Sequence, residues 1–287
     1  MLFKTLGLAI AFSPRAQALL CEAARLKKLF QAQLILIHVG KKGQEEERVM
    51  SKLLAMAGLQ PDEVVLSWRA GDPAREILNA CHEHNIELVI TGALKKEGFI
   101  QHYLGSVARN ILRRSNCSVL TIIQPALIPE PFRNIVVDAS EESALRETLT
   151  ASCSIGRLEQ ASWLHVVREI KLYSLTMATA AQASEDEYNR LRQQLINQEV
   201  DSVQQLLMTI PHKGLKVNIK VIAGKSGFET AQFARQKKAD LLIVHAPQRK
   251  FSFFDRLFPH DLEYVFADLP CNLLVLRHGQ GKEKSYE

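Results

Sequence analysis

No apolar run in the 287-residue chain approaches the ~20 residues needed to cross a bilayer, so membrane insertion is not expected. The opening segment MLFKTLGLAIAFSPR holds a short apolar stretch without a cleavage-site pattern, and it reads as a first strand, not a targeting signal. CxxC pairs are missing too. The five cysteines, Cys21, Cys81, Cys117, Cys153 and Cys271, are odd in number, widely spaced and mostly set in apolar periodic segments. That argues against a disulfide scaffold and for a reducing cytoplasm. Charge of one sign is not concentrated: 36 basic and 31 acidic residues are interspersed, and the net charge of +5 describes a solvated mixed surface, not a nucleic-acid face. With 47% hydrophobic and 23% charged residues, neither disorder nor a fibrous class is expected.

Signatures of catalysis are equally scarce. No GxSxG, no kinase set, and neither HxGH-type nor SGGxDS-type signatures of nucleotide-using α/β enzymes occur. AGKSG, ending at Gly227, has Ile219 where a P-loop needs its first glycine, so it reads as a strand-to-helix turn. In CHEHN the side chains of Cys81, His82 and His84 leave one helical turn in different directions, and no second ligand group lies nearby in sequence. No catalytic residue and no metal site is expected.

What is present is alternation. LFKTLGLAIAF and LILIHVG have the form of buried strands, with the helical pattern of SPRAQALLCEAARLKKLF between them, capped by Ser13 with Pro14 in the first turn. A helix over about 43–58, a strand EVVLSWRAG, a helix DPAREILNACHEHN, a strand ELVITG, a helix from Ser106 and a strand SVLTII follow. This order predicts an α/β protein with a doubly wound parallel sheet. Three prolines in QPALIPEPF interrupt the pattern, which then restarts. NIVVDAS matches GLAIAFS, WLHVV matches LIHVG, VIAGKSG matches WRAGDPA, and PCNLLVL matches NCSVLTI. Two copies of one unit are therefore expected: a first domain over 1–124, a linker over 125–131, a second domain over 132–278 and a polar tail over 279–287. The second copy carries an insertion that lengthens one helix, SEDEYNRLRQQLINQEVDSVQQLLMTI, with Ser184 and Glu187 as a capping box.

In an open parallel sheet, ligands bind beyond the carboxyl ends of the strands. GALKKEGFIQHYLGSVARNIL sits at such an end, with Gly92 closing a strand and Gly105 and Ser106 opening a helix whose free N–H groups and dipole favour an anion. Alone, these residues are also explained as an ordinary strand end and helix cap. Their spacing resembles the universal stress protein motif of glycine, two residues, glycine, nine residues, glycine, and serine or threonine. The resemblance covers nearly the whole chain, down to HV ending the second strand and PC before the last.

Membership of that family implies two tandem Rossmann-like domains, each a five-stranded parallel sheet flanked by helices. It also implies domains pairing within the chain through their last strands, around Val119 to Ile123 and Leu273 to Leu276, with a homodimer left open. ATP or a related adenine nucleotide is the implied ligand, held in the first domain. Gly92, Gly105, Ser106 and Val107 match its phosphate and ribose part, Val39 the adenine contact, and Phe12 and Ser13 the end of the first strand. Lys95 replaces the middle glycine, where Lys95 or Lys96 can bring charge to a phosphate. The usual adenine-binding aspartate falls on Ala11, and Phe12 beside it either obstructs the base or stacks on it.

The second copy departs the other way. Asp138 occupies the aspartate position, but HAPQRKFSFFDRLFPHDLEYVF has no glycine from His245 to Phe266, so no triphosphate cradle is expected there. Its phenylalanines 251, 253, 254 and 258 either fill the vacated site or domain interface, or line an apolar pocket or partner surface. The expected function is a non-catalytic nucleotide-binding stress-response or regulatory protein. The alternatives are a protein-interaction module that binds no nucleotide and, more remotely, a slow ATPase.

Overall fold

A computed structural model of the chain describes residues 2–95, 102–170, 185–223, 227–246, 265 and 268–277. Two compact units result, Met1–Pro131 with Phe266–Glu287, and Phe132–Val265.

The first unit is built on β1 (Thr5–Ala9), β2 (Gln33–Val39), β3 (Val64–Arg69), β4 (Leu88–Gly92) and, beyond a short hairpin, β7 (Ser118–Ile122). These run parallel in the order β3-β2-β1-β4-β7. Leu6, Leu8, Leu34, Leu36, Val89 and Ile90 are buried, which is why the strands read as apolar runs instead of alternating ones. Helix α1 (Ala16–Phe30) buries Leu19, Leu20, Ala23, Leu26 and Phe30 at helical spacing and contacts β1, β2, β4 and helix α2 (Gln44–Met56). Helices α3 (Pro73–Glu83) and α4 (Ser106–Arg114) pack together, against β2 and β7 respectively. Asp72 caps α3 by accepting from the Arg75 N–H at 2.9 Å.

Ser13 does not cap α1. The N-cap is Arg15, and Ser13 instead lies in a turn in which its carbonyl accepts from the Ala16 N–H at 3.0 Å. At that N-cap the Arg15 side chain reaches two carbonyls just past β4 and β7, described below.

The second unit holds four parallel strands, β8 (Asn134–Asp138), β9 (Trp163–Ile170), β10 (Lys216–Ala223) and β11 (Leu241–His245), in the order β10-β9-β8-β11. Helix α5 (Leu145–Leu158) contacts β8, β9 and β11, and the inserted helix α6 (Glu185–Met208) contacts β9 and β10. Helix α7 (Phe228–Gln236) follows Gly227, which has φ +75° and so favours glycine. Strand β12 (Asn272–Leu276) groups with the first unit, where Leu273, Leu274 and Val275 lie antiparallel to Thr121, Leu120 and Val119 of β7. The parallel α/β architecture anticipated above is thus present in both units, with this strand in the first.

Candidate functional site

Because β1, β2, β4 and β7 are parallel, their carboxyl ends share one edge of the first unit. Helix α4 begins there. Its N-cap Gly105 is extended and supplies no side-chain bond, Ser106 is exposed, and the first turn carries no acidic residue while the last holds Arg113 and Arg114. Among the described residues no acidic side chain of the helix's own first turn meets the N-terminal N–H groups, and the charges at the far end accord with the dipole.

The glycines behave differently. A Cβ on Gly92 would meet only Leu19 Cδ2, at 3.5 Å, so packing does not demand glycine there. On Gly105 it would stand 2.7 Å from Leu94 Cδ1. Leu94, half exposed, belongs to a two-residue strand β5 (Leu94–Lys95) paired antiparallel with β6 (His102–Tyr103), and it covers Gly105. Lys95 pairs with His102 through its backbone, and its side chain lies outside the described residues. So do residues 96–101 between the two strands.

Just beyond β1, Ala11, Phe12 and Ser13 are exposed. The Phe12 ring stacks on His38 with centroids 4.3 Å apart, and Trp68 meets His38 edge-on at 5.0 Å. His38 is fixed by an Nδ1 contact to the Ile10 carbonyl at 3.1 Å. A Cβ on Gly40 would fall 2.7 Å from His38 Nε2, so this glycine is what lets the imidazole lie beneath Phe12. Val39 and Val107 both pack against the cluster formed by Ile35, Ile37, Ile77, Ile111 and Val119. Phe12 turns from that cluster to the aromatic trio.

Arg15 has no counterpart in the sequence reading. Its guanidinium donates to the Ala93 carbonyl at 2.9 Å and the Ile123 carbonyl at 2.5 Å, tying the ends of β4 and β7 to the start of α1. Among the described residues no carboxylate faces it, so a half-buried positive charge stands at the edge where Gly92 ends its strand. The only sequence signal was a basic residue between a proline and an apolar helix.

At the equivalent edge of the second unit, Arg168 takes over. Buried at the end of β9, it donates to the Ala139 carbonyl at 2.6 Å, to Glu142 at 2.7 Å and, through Nε, to Glu199 of α6 at 2.8 Å. The signal for it was a charge inside the apolar strand WLHVVREI. Asp138 accepts from the Ser140 N–H at 3.0 Å. Burial nonetheless pushes its carboxyl above the usual range, against those hydrogen bonds and the nearby Arg168 charge. A raised folded-state pKa stabilises fully only below the unfolded value of 3.8 and is lost as pH rises through the folded value. Asp138→Asn, whose amide oxygen still accepts from Ser140, is therefore expected to raise the denaturant midpoint at pH 7. The gain over wild type should shrink steadily on acidification, and a gain that is constant with pH would contradict it. The phenylalanine loop and the glycine turn at 224–226 lie outside the described residues.

Residues 2–122 match the model of the universal stress protein family. That match spans the parallel sheet of the first unit. The chain is similar to universal stress protein YxiE of Bacillus subtilis (strain 168), 26% identical over 150 residues, which cover 42% of this chain and 99% of that protein. A solved protein of Pseudomonas aeruginosa PAO1, PA1789, aligns over 96% of this chain and 93% of its own at 16% identity and TM-score 0.69. A universal stress protein of Archaeoglobus fulgidus DSM 4304 covers 95% and 98% at 15% identity and TM-score 0.65. These two likenesses are of fold. No helix among the described residues is long and apolar enough to cross a membrane.

Proposed function

We propose that the chain is a tandem universal stress protein, with domains over 1–124 and 132–278, that acts in the cytoplasm by binding a nucleotide of the adenine type in its first domain, without catalysis. The observation that carries this reading is the start of α4: Gly105 and Ser106 bring backbone N–H groups and a hydroxyl to the edge where Gly92 leaves room and Arg15 places a positive charge. Phosphates fit this side once the Leu94 side chain swings off Gly105. Val39 and Val107 flank the sugar and base, and Lys95 and Ser13 complete the rim. The base side fits less well: with alanine at position 11 the amino group of adenine loses a carboxylate partner, and stacking on Phe12 replaces it.

Ser106→Asp separates binding from structure. An acidic residue in the first turn stabilises a helix by about 0.3–1 kcal/mol, yet it repels phosphate. The variant is expected to melt no lower than wild type while its affinity for ATP, followed by titration calorimetry, falls at least tenfold. Failure of the wild-type chain to bind millimolar ATP, ADP or AMP removes the proposal. That result is also what the second reading predicts, a protein-interaction module without nucleotide. Leu94 lying on Gly105 and Phe12 closed onto His38 favour it.

A further inference from the structure

The second unit carries an open sheet edge. Strand β10 ends the order β10-β9-β8-β11, so among the described residues no strand pairs with its outer side, and that row of N–H and C=O groups has no ladder partner. Lys216, Asn218 and Lys220 stand on one face of it, beside Trp163, His165 and Val167 of β9. Both lysines are exposed, Lys216 Nζ lies 5.7 Å from the centre of the Trp163 ring, and the indole is itself 40% exposed. Trp163 stacks on His165, whose Nδ1 lies 3.1 Å from Asn218 Nδ2, and Phe233 of α7 meets the imidazole edge-on. The Lys237 ammonium sits over Phe233 at 5.5 Å, with Lys238 next to it, both exposed.

Charge is not balanced along this edge. Among the described residues none of Lys216, Lys220, Lys237 and Lys238 is held in an ion pair. Two acids of the same end of the sheet serve the backbone instead: Asp240 accepts from the N–H groups of Arg133 and Asn134, each at 2.8 Å, and the buried Glu159 accepts from that of Phe132 at 3.3 Å. The outer strand of the first unit, β3, differs. Its Arg69 pairs with Glu83, and Lys27 of α1 reaches Glu63, just ahead of the strand, at 3.8 Å.

We propose that β10 is a docking edge for an acidic segment of another protein, taken up as an added strand with carboxylates at alternate positions. The open backbone supplies hydrogen bonds that any extended chain can use, and the two-residue spacing of Lys216 and Lys220 selects acids set two residues apart. Lys237 and Lys238 extend the positive field beside the strand, and Trp163 offers its exposed ring to a neighbouring side chain. Nucleic acid suits the edge less, because it has no peptide groups to complete the ladder and its successive bases need more than one exposed ring to stack on.

The probe is a fluorescein-labelled peptide of alternating Glu and Thr, titrated against the full chain at low ionic strength and followed by anisotropy. Saturable binding that weakens steeply with added salt is the expected result. The same peptide with all its backbone amides N-methylated keeps the charge but cannot complete the ladder, and it should not bind. Amide exchange along β10 should slow with the unmethylated peptide alone. These comparisons use the wild-type chain and need no variant. Lys216→Glu combined with Lys220→Glu, both at exposed positions, should melt like wild type and weaken peptide binding by about tenfold or more. Absence of binding overturns the proposal and leaves the lysines as guards that keep the edge from pairing with other chains. Binding that N-methylation or the double charge reversal leaves unchanged overturns it too, as does tighter binding of an oligothymidylate through the same lysines.

Discussion

Leu120→Ala is expected to lower the unfolding free energy by about 2–5 kcal/mol, read from chemical denaturation of the whole chain. Leu120 is 3% exposed in the middle of β7, where it pairs with Ile90 of β4 on one side and Leu274 of β12 on the other. Truncation removes buried methyl groups at a point where two ladders meet, and strands held on both sides cannot move in to refill the space. The loss should fall on the first unit, appearing as accelerated hydrogen exchange in β4, β7 and β12 while β8 to β11 keep their protection. A cost below ~1 kcal/mol would mean that the site collapses readily and that β7 is not the rigid centre described.

Glu199→Ala is the second large effect, about 3 kcal/mol, and it acts on the second unit. The side chain of Arg168 is 7% exposed, and that of Glu199 30%. Deleting the carboxylate leaves a nearly buried guanidinium with Glu142, itself 71% exposed, and one carbonyl as partners. Removing both charges together, as Arg168→Met with Glu199→Leu, should recover much of the loss, because an apolar pair avoids the desolvation cost of the ion pair. Amide exchange along α6 gives the specific readout: Glu199→Ala should release this helix before any strand. If α6 keeps its protection, the network does not hold the insertion.

The architecture was legible because parallel strands covered on both faces must be apolar throughout, so LILIH and LVIT stand out against the amphipathic stripe of α1. The end of β4 and the start of α4 were legible from their own residues, Gly92 closing the strand and Gly105 standing at the helix N-cap. Tertiary demands were not. Arg15, at the N-cap where Ser13 was expected, serves two carbonyls far along the chain. Arg168 looks like any basic residue until the strand placing it at the unit's edge and the helix carrying Glu199 are both known. Phe12 left two readings open, an obstacle or a platform, and its choice of His38 depends on Gly40 giving the imidazole space, which no local pattern encodes.

The placement of β12 bears on how the protein is made. Asn272 accepts from the Ile123 N–H across 149 residues of sequence. A ribosome therefore releases β7 long before its neighbour on that side exists. Until then Ser118–Ile122, every residue of which is buried in the finished protein, presents bare amide and carbonyl groups along an apolar edge. The nascent first unit is consequently most vulnerable to pairing with another chain while the second is being synthesised. A fragment ending near residue 124 would carry the same open edge permanently, and on gel filtration it is expected to run as a self-associated species.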